Sequence, residues 1–71
     1  MRTDRAQTVE MLLGMATQAE NHVRELRRSA ESANDDGYRS AVTQFSVMAL
    51  VHESYAQKFR GLARELGGDH E

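Results

Sequence analysis

Two runs of apolar positions, each alternating three- and four-residue steps without a slip, constrain this chain more than any other feature. The first is Val9, Leu12, Ala16, Ala19, Val23, Leu26, Ala30 and Ala33. The second is Tyr38, Ala41, Phe45, Met48, His52, Tyr55, Phe59, Leu62 and Leu66. A mean step near 3.5 residues is the heptad seam of packed helices. Between the runs lies Asn34-Asp35-Asp36-Gly37, where Asn and Gly tolerate left-handed backbone angles and Asp suits the cap of a following helix. Proline is absent from the 71 residues, so only glycine is left to break a helix.

The expected fold is therefore all-α, a single helical-hairpin domain over residues 1–71. Helix 1 should span about 4–33, opened by Asp4 and Gln7 as a capping box. Helix 2 should span about 38–66, stopped by Gly67-Gly68, with 67–71 as a frayed tail. Each helix then runs roughly 45 Å at 1.5 Å per residue. A loop this short forces the two to pack antiparallel. With Asp35 and Asp36 at the tip, residues whose numbers sum to about 71 should face each other. This pairs Val9 with Leu62, Leu12 with Phe59, Ala16 with Tyr55, Ala19 with His52, Val23 with Met48, Leu26 with Phe45 and Ala30 with Ala41. Small residues then meet large ones, which is how a core fills without voids.

A chain of this size rarely buries enough apolar surface to fold with a wide margin, and without cysteine it has neither a disulfide nor a thiolate metal site. A partner is the remaining source of stability. The apolar residues exceed what one seam needs. Helix 2 is apolar nearly all round over Val47-Met48-Ala49-Leu50-Val51, and a helix apolar on every side expects cover on every side. Met11, Leu13, Met15, Val47, Leu50 and Val51 flank or oppose the seam and form the expected interface. Val42, Ala49, Ala56 and Ala63 recur every seven residues as a strip of small side chains that lets another helix approach closely. A two-fold homodimer closing a four-helix bundle, or a higher helical oligomer, satisfies these demands.

His52, in a seam position, needs its ring nitrogens hydrogen-bonded or ligated. It is a candidate metal ligand at a symmetry axis; within one helix Glu20 diverges from His22 and His52 from Glu53, so no local chelate forms. No Glu-x-x-His or His-Glu-x-x-His pattern is present. Arg24, Arg27, Arg28 and Arg39 gather toward the turn and are candidate anion-binding residues. The simpler reading pairs Glu20 with Arg24 and Glu31 with Arg27 and Arg28 along helix 1. A net charge of −2 gives no electrostatic argument for nucleic acid.

The serines lie on regular helix, with no Gly-rich phosphate loop and no nucleophile elbow, so the chain reads as a non-enzyme without cofactor. The longest apolar run, Val47–Val51, falls far short of the roughly 20 residues that span a bilayer. The N-terminus has no apolar signal stretch, which points to the cytoplasm. The function expected is a small homo-oligomer that binds and modulates a larger protein as regulator, adaptor or inhibitor. A bundle holding a nucleotide or other anion at Arg-rich interfaces is the alternative, and a metal-binding bundle through His52 is the second. In architecture alone the hairpin resembles small helical-hairpin regulators of the Rop type, a likeness of fold that transfers no residue role.

Overall fold

The computed structural model describes residues 3–68. Helix α1 spans Thr3–Asp35 and helix α2 spans Arg39–Ala63, after which the chain continues as one π-helical turn, Arg64–Gly68. The helices pack against each other as an antiparallel hairpin of 53 × 15 × 14 Å. No helix among the described residues is long and apolar enough to cross a membrane.

The turn is built as the residues dictate. Gly37 sits at φ +82°, the left-handed region open to glycine. Its N–H donates to the Asn34 carbonyl at 3.1 Å, and the Tyr38 N–H donates to the Ala33 carbonyl at 2.9 Å. These two crossed bonds form a Schellman motif, which satisfies carbonyls that the end of α1 would otherwise leave bare. Asp36 and Asp35 do not cap the next helix. Tyr38 occupies the cap position of α2 without a side-chain hydrogen bond, because the Schellman turn uses up the intervening residues. At the other end Asp4 lies inside the first turn of α1, so it complements the helix dipole and is not the first residue of a capping box. The frayed-tail expectation falls on Gly67 and Gly68, which are helical, and on residues 69–71, which lie outside the described residues.

The seam of α1 is as the spacing predicts, with Ala16, Ala19 and Ala33 buried and Val9, Leu12, Val23, Leu26 and Ala30 half-buried. The seam of α2 is not. Its buried residues are Ala49, Ala56 and Ala63, the strip expected to face outward. Met48, Tyr55 and Leu62, expected inside, are 47%, 49% and 47% exposed. Phe45, His52 and Phe59 belong to both stripes and stay half-buried. The helix is thus rotated by about 50° from the expected setting, at about 100° per residue. Both stripes carry the same three-four alternation, so spacing alone does not choose between them. Small residues win because alanine against alanine lets the two backbones approach closely.

The pairing shifts along the axis as well. Val9 lies against Gly67, where an added Cβ would stand 3.0 Å from Val9 Cγ2, and not against Leu62. His52 lies beside His22, with the rings tilted. The displacement is about one helical turn. Its cause is the turn, whose tip falls at Gly37, beyond Asp35 and Asp36.

Candidate functional site

The rotated α2 gives the hairpin two unlike flanks. On one, ion pairs cross between the helices. Arg60 Nε donates to Glu20 Oε2 and Arg60 Nη2 to Glu20 Oε1, each at 2.8 Å, a bidentate fork. Arg27 Nη2 donates to Glu53 Oε1 at 3.1 Å. The Arg60 hydrogen bond lowers the Glu20 pKa from its ordinary value; burial opposes it, and the charges of Arg60 and Arg24 add to the lowering. The same hydrogen bond raises that of Arg60. The two pairs lie one heptad apart on each helix with the charges in the same order, Glu then Arg. Antiparallel packing therefore matches Glu with Arg both times, and one register satisfies both. That order is legible in the sequence, and it is the signal that separates this register from the one expected.

The other flank carries rings and thioethers. His22 and His52 have ring centroids 5.2 Å apart, His52 meets Tyr55 edge-on at 6.4 Å, and Tyr55 stacks on Phe59 at 6.2 Å. Met48, one turn before His52, and Leu62, one turn beyond Phe59, extend this stripe along α2, and exposed Leu66 follows in the π-helical turn. On α1, Met15 lies two turns before His22 on the same side, with Met11 a turn further. This face combines exposed Met11, Met15, Met48, Tyr55, Leu62 and Leu66 with half-buried Phe45 and Phe59.

The expected interface residues do not form one patch. Met11 and Met15 join the apolar flank. Leu13 lines a shallow groove on the charged flank with Val9, Arg60, Ala63, Arg64 and Gly67. Val47 and Leu50 stand on the back of α2, with Leu50 60% exposed, and Val51 sits between that back and the apolar flank. Met48, Tyr55 and Leu62 were missed as surface because their size recommended them for the core.

Nor do the arginines converge. Arg27 is held by Glu53, and Arg24 donates to Asn21. Arg28 follows Arg27 by one residue and so points about 100° away around the helix. Neither Arg28 nor Arg39 has an ion pair among the described residues. None of the expected Glu20–Arg24, Glu31–Arg27 and Glu31–Arg28 ion pairs along α1 forms among the described residues; Glu20 and Arg27 instead bond across the hairpin.

Comparison with family models, with curated proteins and with solved structures finds no match.

Proposed function

We propose that this chain is a non-enzymatic interaction module, in which two hairpins close on their apolar flanks as a four-helix bundle that binds and modulates a larger protein. The observation that carries this reading is the composition of the core. Among the described residues the buried ones are six alanines, at 16, 19, 33, 49, 56 and 63, and no large side chain joins them. Alanine burial stabilises little, since each removes about one methyl group from water. A lone hairpin keeps its larger side chains wet and lacks the burial a stable fold of this size requires.

The surface area points the same way. The hairpin exposes 5396 Å². A compact 8.0 kDa monomer exposes about 4,450 Å² by size scaling. The excess, roughly 900 Å², follows from the elongated 53 × 15 × 14 Å shape, which leaves apolar side chains uncovered. The apolar flank is where that excess is most hydrophobic. Closing it on itself leaves Val47 and Leu50 on the back of α2 uncovered, and these are the residues we assign to the larger partner. Their role there is that of regulator, adaptor or inhibitor contact.

Light scattering with sedimentation equilibrium tests the first half. A dimer or higher oligomer at micromolar concentration is expected, and a well-folded monomer would overturn it. For the second half, Leu50→Glu should leave the oligomer intact and abolish capture of a partner. Affinity capture that recovers self-complexes alone would remove the partner.

A further inference from the structure

We propose that His22 and His52 together form a two-imidazole site for a tetrahedral divalent metal ion of the zinc class. The site is built across the helices, so no ligand spacing within either helix reveals it. A zinc-bound imidazole holds its nitrogen about 2.0–2.1 Å from the metal, which puts the ring centre about 3.2 Å away. Two such rings at the tetrahedral angle stand about 5.2 Å apart, and at a right angle about 4.5 Å. The His22 and His52 centroids are 5.2 Å apart, with the ring planes inclined at 50°. The separation of the two rings is compatible with two imidazoles on one tetrahedral ion such as zinc.

The surroundings fit a ligand role. Neither ring makes a hydrogen bond to protein among the described residues. Glu25 Oε1 lies 3.9 Å from His22 Nδ1, one turn along the same helix. A small side-chain adjustment puts that carboxylate on the Nδ1 proton and leaves Nε2 as the lone-pair donor, the carboxylate–histidine–metal arrangement. His22 is open to solvent, giving the ion an entry path, while His52 is half-buried and held against Tyr55. Among the described residues no three His, Asp or Glu side chains converge on one point. One chain therefore supplies two ligands, and water or the matching pair of a second hairpin supplies the others. Both protein ligands come from one chain, on the flank we assign to the contact between hairpins.

Zinc chloride titrated into the EDTA-stripped full-length chain tests the proposal, read by calorimetry and by the imidazole NMR signals. Saturable micromolar binding is expected, at one ion per chain if water completes the shell or one per two chains if a second hairpin does. The His22 and His52 signals should shift, and the melting temperature should rise with zinc as mass action requires. His22→Ala, on an exposed side chain, should abolish binding without unfolding the hairpin. Glu25→Gln should weaken it about tenfold or more. His70→Ala should leave it unchanged. Absence of saturable binding at micromolar zinc, or binding that survives His22→Ala, would overturn the site. Sedimentation in EDTA reads assembly separately, so loss of the zinc site leaves the interaction reading standing.

Discussion

The two flanks of this hairpin solve the same problem by different physics. The charged flank is complete within one chain: Glu20 with Arg60 and Arg27 with Glu53 satisfy each other while still touching water. Such pairs contribute little net stability, but they define a register, because a slip of one turn unpairs both. The apolar flank is incomplete. Met48, Tyr55 and Leu62 keep about half of their surface in solvent. One flank specifies how the hairpin closes on itself, and the other leaves large apolar side chains exposed. A fold whose internal seam is alanine divides its work in this way, because close helix approach and large buried side chains exclude each other at one seam.

The largest effect should come from charging the incomplete flank. Met48→Glu with Tyr55→Glu removes two side chains whose burial is worth about 1.5–3 kcal/mol each. The assembled state should lose about 3–6 kcal/mol on that basis, a large share of a small domain's total stability. Sedimentation velocity should show the oligomer gone, and the cooperative melt should broaden or vanish. Ser46→Glu with Gln57→Glu, placed toward the other flank, should leave both unchanged. Equal damage from the two pairs would erase the distinction between the flanks.

The seam between the flanks comes next. Ala49 is 1% exposed, so Ala49→Leu should cost about 1–3 kcal/mol by overpacking, seen in a denaturant melt. If Ala49→Leu is neutral, α2 is rotated back toward Met48, and the charged flank loses its geometric basis.

How much of this was legible depends on which residue is asked. The turn was readable because Gly37 answers a single question, which backbone angle is allowed, and its φ of +82° is the one expected. Gly37→Val should accordingly cost about 1–2 kcal/mol or drive the hairpin open into an exchanged dimer, separable by chemical melts across protein concentration. The α1 seam was readable because only one stripe on that helix keeps the heptad spacing. On α2 two stripes keep it, sharing Phe45, His52 and Phe59, and size misleads: Met48 and Tyr55 look like core, while Ala49 and Ala56 look like surface. The Glu–Arg order on both helices breaks the tie, yet it works only once antiparallel packing and cross-helix reach are considered together. The pairing of His22 with His52 was hidden for the same reason, since neither helix carries it alone.

The smallest effect, and the one most specific to the charged flank, is acid sensitivity at Glu20. Its carboxyl is held below the ordinary value of 4.5, first by the Arg60 hydrogen bond and then by charge. A depressed carboxylate contributes stability that is fully present above its unfolded value and lost as pH falls through its folded one. The gain over Glu20→Gln should therefore be present at neutral pH and fade below about pH 4.5. The Glu20 and Arg60 side chains are 41% and 40% exposed, so water screens the pair, the gain is small, and added salt should shrink it further. Glu20→Gln should nonetheless stay as oligomeric as the wild type, because the apolar flank does not use this pair. A melting difference that persists unchanged into acid would mean Glu20 acts through packing alone. A loss of oligomer in Glu20→Gln would mean that register and assembly are one property, and that the two flanks are not separable.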